Sequence, residues 1–233
     1  MQALHGKKKT LQRLALGMAI ASICAAANAK SVSEASTLLE AMGDPNESKL
    51  MKSAGLKFGA WLNAGVTYNA TDPEDNFNGP VTFGDRASEF QLNQINFYLQ
   101  RAVATEGSSF DLGGRVDVMY GSDAFYTQAY GIPGVELGTG AELDRGSWDL
   151  DIIRGRFYNL AIPQAYLESY IPIGNGLNVK AGHFYTPIGY ETVPAPDNFF
   201  YTHAYTMQFG EPFTHTGILA NYAFNKNWAV TGG

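Results

Sequence analysis

The chain has 233 residues, 45% of them apolar, 13% aromatic and only 16% charged, with 26 glycines and one cysteine. That length is enough for a sizeable core and one or two domains, and past the first thirty residues no apolar run is long enough for a membrane-spanning helix. A net charge of −6 excludes a basic nucleic-acid binder, whereas a mean hydropathy of −0.15 does not exclude a protein that crosses a membrane by alternating strands.

Residues 1–29 read as a secretory signal peptide. Lys7, Lys8, Lys9 and Arg13 form its positive region, "LALGMAIASICAAA" its short apolar region, and Ala27–Ala29 ("ANA") the small residues of a cleavage site. Cleavage there would remove Cys24, the only cysteine, and four of the 16 basic residues, leaving 12 against 22 acidic ones and a net charge of −10. The mature chain could then form no intramolecular disulfide. An exported, acidic, cysteine-free chain rich in Gly and Tyr points to a bacterial envelope. Residues 30–55 read as a short periplasmic leader, with one or two helical turns over Ser36–Met42 ended by Gly43 and Pro45.

From Leu56 the period changes to two. Leu56, Phe58, Ala60, Leu62, Ala64, Val66 and Tyr68 alternate with Lys57, Gly59, Trp61, Asn63, Gly65, Thr67 and Asn69, so one side is apolar and the other polar or small, Trp61 excepted. Soluble strands commonly run about 5–6 residues, whereas crossing a bilayer obliquely takes about 9–11. In 89–104, Gln94, Asn96, Tyr98 and Gln100 oppose Ile95, Phe97 and Leu99, with a phase slip near Leu92 that predicts a bulge. In 108–120, Phe110, Leu112, Val116 and Val118 oppose Asp111, Arg115 and Asp117. Weaker alternation follows over 163–171, with Gln164 and Glu168 on one face, and over 177–186, where Asn178 and Lys180 oppose Leu177 and Val179. A further strand covers 216–224 and another begins near Trp228.

The connections differ in length by turns. "TEGSS" (105–109), "PIGNG" (172–176) and "NKN" (225–227) are tight, whereas 70–88, 121–160 and 187–215 are long. Short turns at one end and long loops at the other are the asymmetry of an outer-membrane barrel. In hydrocarbon, a sheet satisfies its backbone only by closing on itself. The charged row Asp111, Arg115 and Asp117 then faces a wet interior, since burying three charges without water or partners is costly. The fold class expected is therefore all-β: an antiparallel transmembrane barrel over 56–233, with a soluble sandwich as the competing fold.

Several segments carry a family resemblance. "FNGPVTFGDRASEFQLNQINFYLQRA" (77–102), "GGRVDVMYGSD" (113–123) and "VKAGHFYTPIGYETVPAPDNFFYTHAYTMQFGEPFTHTG" (179–217) resemble the putative β-barrel porin-2 (OmpL-like) family of bacterial outer-membrane proteins. The resemblance implies a β-barrel and a pore activity, and says little of the solute. The chain stops at "WAVTGG" inside its seventh strand, so a partial barrel of six to seven strands is expected.

No nucleophile elbow, phosphate loop or calcium hand occurs, so neither a reaction nor a cofactor is expected. His203 and His215 are twelve residues apart, a spacing without metal-ligand logic, and hydrogen-bonded loop histidines are the expectation. The 187–215 loop is the most informative. Pro187, Pro194, Pro196 and Pro212 restrict it, and Phe199, Phe200, Tyr201, Tyr205, Phe209 and Phe213, with His203 and His215, predict a segment folded into the barrel that narrows it. A rim-packed loop, or an aromatic belt at the lipid headgroups, is the alternative. Asp111, Arg115, Asp117, Glu168, Asn178 and Lys180 are the expected pore lining. Asp72, Glu74, Asp75, Glu142, Asp144, Asp149 and Asp151 would favour cations near the mouth. The function expected is passive diffusion of small hydrophilic solutes or ions through an outer-membrane porin. Its partners would be outer-membrane lipid and the outer-membrane assembly machinery, with no nucleic acid; a homo-oligomer is compatible with this. A plugged barrel with a structural or adhesive role, and a barrel hydrolase with a rim site at His203 and His215, are the alternatives.

Overall fold

The computed structural model describes residues 37–41, 43–105, 107–127 and 157–233. The expected signal peptide, 1–29, lies outside them. The chain divides into two compact units, Met1–Phe58 and Gly59–Gly233.

The described part of the first unit is helical. Leu38–Ala41 forms a helical turn, as the sequence predicts. The Asp44 side chain then caps a 3₁₀ turn, Pro45–Glu47. A helix over Lys49–Ala54 was not anticipated, although its signals are present: Ser48 accepts from the Met51 N–H, and Gly55 ends it in the left-handed region at φ 64°. Asn46 receives the Phe58 N–H at 2.7 Å and donates to the Phe58 carbonyl at 2.9 Å, standing in for a neighbouring strand.

The second unit is built on one antiparallel sheet of seven strands in the order of the chain. They are β1 (Leu56–Val66, which starts in the last residues of the first unit), β2 (Phe90–Arg101), β3 (Asp111–Gly121), β4 (Asn159–Ile171), β5 (Leu177–Tyr185), β6 (Thr214–Asn225) and β7 (Trp228–Gly232). The first six have 9 to 13 residues, the length expected of strands that cross a bilayer at a tilt. Among the described residues no helix is long and apolar enough to cross a membrane.

Register places the two residue classes on opposite faces. Across β2, β3 and β4 the pairs Leu99↔Val116↔Ala165 and Phe97↔Val118 share one face, and Tyr98↔Asp117↔Gln164 and Gln100↔Arg115↔Tyr166 share the other. The polar row continues as Glu168↔Lys180↔Leu219 and Tyr170↔Asn178↔Asn221. On the apolar face Leu62, Phe97, Leu112, Val116, Leu167 and Ile218 are exposed, which reverses the habit of a water-soluble sheet. On the polar face Gln94, Asn96 and Asp117 are fully buried.

β4 begins at Asn159, four residues before the alternation becomes legible, because "NLAI" is nearly all apolar and buried Pro163 lies beside the register shift against β3. The slip expected near Leu92 is visible as two consecutive buried residues, Asn93 and Gln94. Opposite them, the Leu92 and Asn93 carbonyls accept from Ser122 and Asp123.

All long connections leave one end of the sheet, and all short turns the other. The apolar core sits at the long-loop end. Met119 of β3 and Ala161 of β4 meet Phe83 of the β1–β2 loop, Ala124 of the short helix Ala124–Thr127, and Val193 and Met207 of the β5–β6 loop.

Candidate functional site

The candidate site is the polar face of the sheet and the loops that close over its upper end. Small residues of β1 create room on this face. A Cβ at Gly59 would overlap the Tyr98 ring, and one at Gly65 would meet Tyr201 of the β5–β6 loop at 2.7 Å. The two rings therefore occupy the space a side chain would need at these positions, which explains why the polar row of β1 is small as much as polar. Trp61, the exception in that row, donates from Nε1 to Gln94 Oε1 at 2.8 Å.

Gln94 is the joint between wall and loop. Its Oε1 also accepts from the Ala195 N–H at 3.0 Å, and its Nε2 donates to the Val193 carbonyl at 2.8 Å and to Asp123 Oδ2 at 2.9 Å. Asp123 is held in turn by Asn93 and Ser122. Burial pushes its carboxyl above the usual aspartate range; hydrogen bonds from Asn93, Gln94 and Ser122 and the field of His203 act against the shift. Two further ties fix the loop: Tyr201 Oη donates to Asn93 Oδ1 at 2.8 Å, and Gln208 Oε1 accepts from the Thr82 N–H at 2.6 Å. None of these ties is legible in the sequence, because each joins residues a hundred or so positions apart. The one signal was the phase slip at 92–94, where two adjacent polar residues turn to the same side.

The 187–215 segment does fold against the polar face, through Val193, Pro194 and Met207 rather than through its aromatic cluster. Pro194 is buried and Pro196 exposed. Phe199 and Phe200 stack edge to face at 4.8 Å yet remain 91% and 69% exposed; Tyr205 and Phe209, also 4.8 Å apart, are exposed as well. These four aromatics are therefore not what seats the loop on the sheet. Phe213 does pack, edge-on to Phe83 at 5.5 Å. His203 lies 4.7 Å from the Phe83 ring and 3.0 Å from Glu191 Oε2. His215 belongs to β6 rather than to the loop, and its Nε2 is 2.9 Å from Thr186 Oγ1. The two histidines thus serve different partners. The described residues hold no cluster of three or more metal-ligating groups.

The six side chains expected to line a pore all stand on the polar face. Their environments separate them. Asp111 closes the β2–β3 turn, accepting from Arg101 Nη2 and the Ala104 N–H, both at 2.8 Å. Asp117 is wholly buried: Arg115 reaches it from Nε at 2.6 Å and Nη2 at 2.8 Å, and Asn96 and Gln164 donate to it as well. The Arg115 guanidinium also lies 4.1 Å above the Tyr98 ring. Glu168, Asn178 and Lys180 instead line a cavity of about 570 Å³ toward the short-turn end, together with Asn221 and Tyr170. Lys180 Nζ lies 4.3 Å above the Tyr166 ring. Of the acidic residues expected near a mouth, Asp72, Glu74 and Asp75 lie in the β1–β2 loop, and Glu142, Asp144, Asp149 and Asp151 fall outside the described residues.

Residues 55–233 match one family model, described as putative beta-barrel porin-2, OmpL-like. No curated protein and no solved structure matches.

Proposed function

The chain belongs to the putative beta-barrel porin-2, OmpL-like family, and on that premise we propose that it is an outer-membrane porin passing small hydrophilic solutes or ions by passive diffusion. The observation that carries this reading is the division of the sheet: strands of membrane-crossing length, exposed Leu, Val, Phe and Ile on one face, and Gln, Asn, Asp, Arg and Lys on the other. Lipid outside and water inside make both faces favourable at once, which supports this reading. Export through a cleaved signal peptide and insertion by the outer-membrane assembly machinery belong to the same reading.

The test is single-channel conductance of the full-length protein in planar bilayers, with reversal potentials in a salt gradient. Discrete conductance steps support the porin. A second reading is favoured by one specific observation, the loop core at Phe83, Val193 and Met207 that covers the upper polar face. In it the barrel is plugged and its role structural or adhesive. Folded, heat-modifiable protein that inserts and gives no steps would establish that reading instead.

A further inference from the structure

The polar face carries charges of two kinds. In the first, both partners are committed to each other. Asp117 has no exposed surface and four donors aimed at it, and the Arg115 side chain, bidentate on Asp117 and flat over Tyr98, is only 19% exposed. Such a pair presents almost no field to a passing ion and braces β3 against β2 and β4. Asp111 is likewise spent on Arg101 and the turn backbone.

The second kind is Glu168 and Lys180. They are direct cross-strand neighbours of β4 and β5 and open on the same cavity of about 570 Å³. Among the described residues neither is held by an ion pair or a side-chain hydrogen bond. The Lys180 ammonium instead rests 4.3 Å over the Tyr166 ring and 5.7 Å from that of Phe184. A ring face attracts a cation without neutralising it, so the charge is positioned and stays available to solutes. The rest of the cavity wall carries no charge: Thr105, Asn178, Asn221 and Thr231 offer neutral hydrogen-bonding groups beside apolar Leu219 and Ala223.

We propose that Glu168 and Lys180 are the residues that set the charge preference of the pore, and that Arg115–Asp117 is a structural clamp of the wall. This rests on the porin reading and deepens it. In a narrow wet channel a charge only partly offset by its neighbour biases which ion passes, whereas a closed, buried pair does not. Neutralising Lys180 unmasks the carboxylate beside it, and neutralising Glu168 unmasks the ammonium, so the two changes must act with opposite sign.

The experiment measures reversal potentials of the full-length protein and of its Lys180→Gln, Glu168→Gln and Lys226→Gln variants in planar bilayers under a salt gradient. Lys226 sits in the exposed β6–β7 turn and controls for a simple change in total charge. Lys180→Gln is expected to move the reversal potential toward the cation's equilibrium potential, Glu168→Gln toward the anion's, and Lys226→Gln to leave it in place. Two results overturn the assignment: open channels of unaltered selectivity in both cavity variants, or an equal shift from Lys226→Gln. Failure of the folded, inserted full-length protein to conduct overturns the porin reading itself, so the two failures are distinct. If one glutamine variant does not fold, Lys180→Arg and Glu168→Asp keep the charge; selectivity retained by these and lost in the remaining glutamine variant supports the proposal, and selectivity lost in both defeats it.

Discussion

Gln94 shows how much one carboxamide can hold. It is fully buried, and its contacts tie β1, the chain after β3 and the β5–β6 loop to β2. Gln94→Ala leaves the Trp61 and Ala195 donors and the Val193 carbonyl without partners, at about 1–3 kcal/mol for each group stranded in the interior. The expected outcome is faster proteolytic cleavage within 186–213 and a lower temperature for the heat-induced mobility shift. Cleavage at the original rate would show that the Thr82–Gln208 and Tyr201–Asn93 contacts suffice to hold the loop. Asp123, beside Gln94, makes the same junction sensitive to pH. Its pKa is raised from the ordinary 3.8 by burial, so the folded state binds that proton more tightly than the unfolded chain does. Its contribution to stability is complete below the ordinary value and is lost as pH rises through the raised one. Asp123→Asn, which cannot ionise, should flatten that stretch of the stability profile, as followed by thermal unfolding across a pH series; a profile identical to the unaltered chain's would show that Asp123 is ionised throughout.

At the scale of elements, the sequence carried the strands and lost the loops, for a physical reason. A strand with lipid on one side and water on the other must alternate, and alternation is local enough to read. That is why β1, β2, β3 and β6 fall within a few residues of their expected ranges, and why β4, whose first residues are buried among the loops rather than exposed to lipid, starts early. The helix at Lys49–Ala54 was legible in its Ser48 and Gly55 caps but has no long apolar stripe to announce it. Of the candidate site, the polar row could be read from periodicity. The split of that row into clamped and open charges could not, because it depends on cross-strand register. Orientation of the strands is directly testable at Leu167, which is 64% exposed on the apolar face. Leu167→Arg should cost about 2–4 kcal/mol if the site faces the bilayer midplane, measured as lost folded yield in lipid. A soluble sandwich would accept the same arginine on an exposed position with no loss.

For the molecule as a whole, the question is whether the β5–β6 loop limits transport. Removing residues 195–210 takes away Met207, Gln208 and Tyr201 while leaving β5, β6 and Val193 in place. Larger single-channel conductance is the expected outcome, and unchanged conductance would assign the loop to the rim. The loop contacts also bear on the order of assembly. Every strand pairs with the one before it in the chain, so the sheet can lengthen strand by strand without bringing distant segments together. The cap obeys different arithmetic: Gln94 meets Val193 across 99 residues, and Thr82 meets Gln208 across 126. Those contacts cannot form until β5 has taken its place beside β4 and the chain has turned back toward β6. The cap is thus a late, high-contact-order event laid over a low-contact-order meander, and a sheet arrested after β4 would display Gln94 and Asp123 to water. Accessibility at that junction is a built-in marker of how far assembly has run.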